Sequence, residues 1–385
     1  MHDLIIRNGL VVDGVNESPY RADVAVDGNQ ISKVGVISED GLQVIDATDH
    51  IVTPGFVDLH THLDAQIGWD PMLTPLTWHG VTTAILGNCG VTFAPCKPQD
   101  REFLANMMET VEDIPSDAIL SGLAWNWESY GEYLDALELL SPVINVGGMV
   151  GHCAVRFYVM GERGIDQDAS EQEIRQIAKV VEEAIKSGAV GFSTSRNPGH
   201  RIPDGRSVPG TFATEDELLA IAKVVGQEGG LMQSVMNMSR VEEEMSLLKL
   251  EASEARVLFS HYTGGTTSFG DKIEAQVDSM RREGLDVSAM VIPRASGFVA
   301  GIEVYPPWRG GPWDELLPMD LDDRLIAIKD PHLAERLIKY AKANEPIVPA
   351  EHIYHLGSGE YPDYVSRPEQ SLAALADKNL EHPSE

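Results

Sequence analysis

The chain has 385 residues, 43% of them hydrophobic and 23% charged, the profile of a water-soluble globular protein too long for one small core. Its net charge of −31 argues against nucleic acid or an anionic membrane surface as partner, because both need basic patches. Three cysteines, Cys89, Cys96 and Cys153, are too few for a disulfide framework, and no apolar run reaches the roughly 18 residues of a membrane span.

The N-terminus, MHDLIIRNGLVVDG, lacks a basic leader, a long apolar stretch and a small-residue cleavage site, so no signal peptide is read and a cytoplasmic location is expected. Residues 1–50 predict a small β-domain: short β-branched runs broken by NG, DG and DGN turns. IVTPGFVDLHTH then reads as a buried strand entered through a proline.

From there strands and helices alternate. GVTTAILGNCG, SPVINVGGMVGH, GAVGFSTS, GLMQSVMN, RVLFSHY and LDVSAMVIP read as strands. REFLANMMETVED, ELLAIAKVVGQEGG, EEEMSLLKLEASEA and KIEAQVDSMRREG read as helices. The clearest helix is SEQEIRQIAKVVEEAIKSG, with Ser170 and Glu173 as a capping box, Ile174, Ile177, Val181 and Ile185 on one face, and Gly188 after the last turn. About seven βα units predict a TIM-like (β/α)₈ barrel over residues 51–385, a fold of about 250 residues or more. Past residue 293 the alternation thins into VYPPWRGGPWDELLPMDLDD and two further helical stretches, without a convincing eighth strand, so the barrel is expected to be incomplete at its C-terminal end.

In a strand, residues two apart share a face, so His60 and His62 are placed to aim two imidazoles at one point. Zinc accepts such nitrogens, and thiolate sulfur, in tetrahedral sites. Cys89 follows a strand between flanking glycines, where the backbone turns tightly. His152, with Arg156 one turn on, and His261 end two other strands, at the barrel face where catalytic groups gather. Together these residues predict metal-assisted chemistry. His79 precedes a strand and points to the wrong end, whereas His200, in the loop NPGHRIPDGRSVPG, is a candidate for a substrate lid.

The frame GFVDLHTHLDAQ, HGVTTAILGNCGVTFAP, GGMVGHCAVR, GAVGFSTS and LFSHYTG resembles the N-acyl-D-amino-acid deacylases, the D-aminoacylase branch of the amidohydrolase superfamily, over most of residues 3–300. The resemblance implies a TIM-like barrel beside a small β-sandwich to which residues 1–50 contribute. It further implies one or two zinc ions, and hydrolysis of the amide bond of an N-acyl amino acid or related small molecule. It places His60, His62, Cys89 and His261 as metal ligands and His152, Arg156 and Tyr262 at the substrate. Two departures stand out. The family carries a ligand histidine on the strand matching GGLMQSVMNMSR, where this chain has Val235 and Met236, leaving Gln233 or Asn237 as stand-ins. The family's general-base aspartate sits on the last barrel strand, which would lie outside this chain. An open barrel predicts self-association or a companion chain that completes it. A cyclic-amide hydrolase and a non-catalytic relative or fragment stay open as alternatives, the former disfavoured because no lysine sits at a strand end while Cys89 does.

Overall fold

In the computed structural model, residues 1–261, 267–292, 299, 301–303, 306–357, 359–365 and 367–384 are described. The chain forms two compact units, Met1–Ile292 and Pro293–Glu385. The division falls where the strand–helix alternation stops in the sequence.

The first unit opens with β1 (His2–Val11), β2 (Tyr20–Asp27), β3 (Gln30–Gly35), β4 (Gly41–Asp46) and β5 (Ile51–Val52). They form one sheet in the order β3-β2-β1-β4, with β5 also on β1. The β1–β2 and β2–β3 pairs are antiparallel, as the turn-rich sequence predicts, whereas β4 and β5 run parallel to β1. Ile5 and Ala25 are fully buried, but Ile31, Val34, Leu42, Val44 and Ile45 are exposed. Among the described residues these strands form a single layer.

The second sheet contains β6 (Phe56–Asp58), β7 (Val81–Leu86), β8 (Asn145–Gly151), β9 (Gly191–Ser195), β10 (Leu231–Val235), β11 (Arg256–Ser260) and β12 (Val287–Met290). All neighbours are parallel and the spatial order is the chain order, β6 through β12. Unbroken sequential order is barrel winding; a doubly wound sheet would reverse partway. Seven parallel strands lie within the stretches the sequence predicts, but IVTPGFVDLHTH is not one buried strand: it splits into β5 of the first sheet and the short, largely exposed β6, and among the described residues no eighth strand joins the sheet.

The crossovers carry α1 (Arg101–Glu112), α2 (Ser116–Gly122), α3 (Tyr130–Leu139), α4 (His152–Met160), α5 (Arg163–Asp166), α6 (Glu171–Lys186), α7 (Glu215–Gln227), α8 (Val241–Ala252) and α9 (Thr267–Arg282). The capping box on α6 is present, with Ser170 and Glu173 reciprocally bonded, and Ile177, Val181 and Ile185 line its buried face. Helices α6 to α9 pack on one another in sequence and share one core with the strands beneath. At Gly191 a Cβ would stand 1.9 Å from the Leu231 carbonyl oxygen, so glycine lets β9 and β10 pair this closely.

The second unit has α10 (Leu321–Ala327), α11 (Pro331–Ala341) and α12 (Leu372–Asn379). Its small core is Trp308, Trp313, Leu316, Leu337 and Ala341. The tryptophans of YPPWRGGPW are thus buried in their own unit, with indole N–H groups donated to the carbonyls of Asn344 and Leu337. No helix among the described residues is long and apolar enough to cross a membrane.

One core acid has a measurable consequence. Glu251 on α8 is fully buried; Ser234 Oγ donates to one carboxyl oxygen at 3.1 Å, and the other has no partner. Burial raises its pKa from 4.5 to about 8. A raised carboxyl contributes stability in full below its unfolded pKa and loses it as pH climbs through the folded one. Stability should therefore fall between about pH 4.5 and 8 by on the order of a few kcal/mol, at roughly 1.4 kcal/mol per unit. Glu251→Gln should remove that slope in urea titrations across this range; an unchanged slope would refute the assignment.

Candidate metal centre

The strand β6 ends at Asp58, two residues before His60, so the two histidines lie beyond the strand and not on it. Their common direction comes from Thr61 between them. Its backbone N–H and hydroxyl both donate to the Ile85 carbonyl, at 3.3 and 2.8 Å, anchoring the segment to the end of β7. Asp58 also accepts the His60 backbone N–H at 3.1 Å. The imidazoles meet with their Nε2 atoms 3.3 Å apart.

Cys89 reaches the same point from the turn after β7. Its Sγ is 3.0 Å from His60 Nε2, and donor atoms of His60, His62 and Cys89 all lie within 4.8 Å of one another. The turn is built from left-handed residues: Gly87 at φ 72°, Cys89 at 56° and Gly90 at 74°. A Cβ at Gly87 would stand 2.1 Å from the Met149 carbonyl oxygen, so only glycine fits there. Gly87 N–H is held by Asp64, a fully buried carboxyl that burial pushes up to about 6 and that also accepts from Tyr133.

A second ring of polar groups orients the three donors. Gln233 of β10, fully buried, accepts the Cys89 backbone N–H at 3.3 Å and donates to Ser260 Oγ at 3.2 Å. Ser260 in turn is 3.2 Å from His60 Nδ1. A proton on Nδ1 given to Ser260 leaves the Nε2 lone pair facing Cys89, the tautomer a metal ligand requires. Gln233 thus braces both the Cys89 turn and Ser260; Val235 ends β10, and Met236 is buried.

Electrostatics keep the imidazoles neutral. Burial lowers His60, and burial with the neighbouring His60 and His200 pushes His62 down to about 3. Burial raises the free Cys89 thiol well above its usual value, with Glu112 adding to the effect. Two neutral imidazoles and one thiol, converging and shielded, fit a zinc-type ion, whose charge would draw the thiol into its thiolate form.

The other predicted site residues lie elsewhere. His152 is the first residue of α4, not the last of a strand, and is fully buried. Its Nδ1 contacts Thr194 Oγ1 at 2.8 Å, its Nε2 contacts Glu217 at 2.8 Å, and burial lowers its pKa. Arg156 is 3% exposed. It donates Nε to Gly164, Nη2 to Gln167 and Nη1 to Glu217. Burial opposes ionisation of Glu217, yet the bond from His152 and the charge of Arg156 leave its pKa lowered. The polar atoms of His152 and Arg156 thus bond within this internal cluster. His261 follows β11, its Nδ1 buried without a partner, and is not among the three converging donors. Tyr262 lies outside the described residues.

Two further groups lie nearby: His200, expected from sequence only in a substrate lid, and Glu112, not singled out there. His200 bonds Ser195 Oγ at 2.9 Å and is close enough to lower His62. Glu112, the last residue of α1, places Oε1 3.3 Å from His62 Nε2, and burial beside Asp64 and Asp113 raises it to about 7. A signal for Glu112 existed: it continues the buried stripe Leu104, Met108 at a spacing of four.

A parallel sheet wound in barrel order thus carries two histidines and a cysteine that meet beyond its first strand ends. Residues 43–247, more than half of the chain, match the amidohydrolase family, and the chain belongs to it. Its relatives include members of the D-aminoacylase branch. The D-aminoacylase of Alcaligenes xylosoxydans xylosoxydans is 30% identical over 345 residues, covering 83% of this chain and 65% of that enzyme. A structure of N-acyl-D-glutamate deacylase from Bordetella bronchiseptica, complexed with zinc and a phosphonate mimic of the tetrahedral intermediate, superposes with a TM-score of 0.62 at 26% identity, covering 76% of this chain and 59% of that one. A D-aminoacylase structure with a binuclear metal centre gives the same TM-score of 0.62 and 26% identity over 76% of this chain and 59% of that one. The chain spans 43–65% of the length of the curated deacylase and uncharacterised relatives it matches.

Proposed function

We propose that the chain carries the metal centre of a zinc-dependent hydrolase that cleaves the amide bond of an N-acyl amino acid. The convergence of His60, His62 and Cys89 within 4.8 Å carries this reading. The deacylase relatives supply the substrate class, and the zinc-bound relative supports the choice of ion. A zinc ion bound there supplies polarisation of the amide carbonyl and acidification of water.

The chain's own residues do the rest. His60, His62 and Cys89 hold the ion, Ser260 and Gln233 fix the His60 tautomer and the Cys89 turn, and Asp64 pins Gly87 behind it. His200 borders the cluster as a group that can meet the substrate. His261, after β11, is assigned to the metal and Tyr262 to the substrate, as the resemblance to the deacylases implies. His152, Arg156 and Glu217 support Thr194 on β9 from inside the fold.

The test is hydrolysis of a panel of N-acyl-D- and N-acyl-L-amino acids by zinc-loaded protein. Turnover lost on chelation and restored by zinc is the expected result. A folded, zinc-loaded chain inert toward the whole panel would reject deacylation, and a folded chain that takes up no zinc would favour a non-catalytic relative, the reading suggested by Val235 where the family has a histidine.

A further inference from the structure

Glu112 has no role in the centre described so far, yet its placement is unusual in three respects. It lies on the buried stripe of α1, behind Leu104 and Met108, with a side chain only 22% exposed. It is the final residue of its helix, where the negative end of the macrodipole disfavours a carboxylate. And it approaches His62 from the Nε2 side, at 3.3 Å, while His62 Nδ1 is buried without a partner.

The last point separates two roles. A carboxylate that merely orients a metal-bound histidine bonds the ring nitrogen remote from the ion. Here Glu112 shares the nitrogen that also faces His60 Nε2, at 3.3 Å. The donor separations run Glu112–His62 3.3 Å, His62–His60 3.3 Å and His60–Cys89 3.0 Å. Donors around a tetrahedral zinc, bound at about 2.0–2.3 Å, stand about 3.3–3.6 Å apart. Glu112 does not lie within 4.8 Å of all three other donors, so ligation requires its side chain to swing toward Cys89. Charge favours that movement. One thiolate and one carboxylate neutralise a dication in a shielded site, whereas two neutral imidazoles and a thiolate leave it a net positive charge.

We propose that Glu112 is the fourth protein ligand of the ion held by His60, His62 and Cys89, making a two-histidine, one-cysteine, one-carboxylate site. The assignment rests on the metal-centre reading above and goes beyond it. It gives the ion four protein donors without the histidine that Val235 and Met236 displace, and the water of the proposed hydrolysis would enter as a fifth ligand.

Titration of the metal-free chain with Co²⁺ alone tests it. The wild type should bind with a thiolate-to-cobalt band in the near ultraviolet and the strong visible absorption of a four-coordinate ion. Glu112→Gln should keep the thiolate band, shift the visible bands and bind at least about tenfold more weakly, the loss expected even of supporting groups. Affinity and visible spectrum unchanged in Glu112→Gln would overturn the proposal while leaving the three-donor centre standing. A wild type that binds no cobalt would overturn both. If Glu112→Gln does not fold, anomalous diffraction from zinc-loaded wild-type crystals decides: a Glu112 oxygen about 2.0–2.2 Å from the ion supports the assignment, and a carboxylate turned away refutes it.

Discussion

Cys89→Ala is expected to reduce zinc retention from near one ion per chain to a small fraction, measured by elemental analysis after dialysis against buffer without chelator. The reason lies in the donor count. Among the described residues three donors converge, and the thiolate is the one that contributes charge. Its removal should weaken binding on the order of a hundredfold or more, since loss of a supporting partner alone costs about 10–100-fold. Gln233→Leu should fall in that milder range, because Gln233 only steadies the Cys89 backbone and Ser260. Zinc should also raise the thermal midpoint of the wild type and not of Cys89→Ala, because ligand that binds only the folded state stabilises it by mass action. Equal zinc retention by both proteins would remove Cys89 from the site.

Glu217→Gln is expected to be among the most destabilising single changes in the first unit. Glu217 is fully buried and satisfies both Arg156, 3% exposed, and His152, also fully buried. Neutralising it leaves a guanidinium buried without its counter-charge, a change that typically costs about 3–5 kcal/mol. A large fall in the urea midpoint, followed by far-ultraviolet circular dichroism, is the readout. The double variant Arg156→Met/Glu217→Leu should recover much of the loss, since replacing a whole buried pair by apolar groups is often tolerated. If Glu217→Gln unfolds at the wild-type midpoint, the triad is not structural.

The same triad marks where the sequence could be read and where it could not. The parallel strands, the capped helix α6 and the pair His60/His62 follow from local patterns: apolar runs, a capping box, a two-residue spacing. The direction in which His152 points does not. It depends on Glu217, 65 positions away, and on a helix that starts at His152 and not after it. Read locally, GGMVGH is a strand with a histidine at its functional end; in the fold, a distant carboxylate turns that ring inward. Thr61 shows the converse. The two histidines leave the strand before they can use its geometry, yet converge because the residue between them is tied to Ile85. Glu112 was legible in principle, as an acid on an apolar stripe, but helical periodicity alone treats it as the frayed end of a helix.

Cys89 sits in the left-handed region at φ 56°, a conformation that costs a residue with a Cβ about 1–2 kcal/mol relative to the usual basins. The donor atom and the conformational penalty therefore reside in one residue, and alanine deletes the first while keeping the second. Glycine deletes both. Comparing Cys89→Gly with Cys89→Ala in the apo state reads that backbone energy less glycine's larger unfolded-state entropy and its lost methyl, with the glycine form expected to be the more stable of the two. A more stable glycine form would show that the cysteine costs the apo fold stability, which an ion on its sulfur can offset.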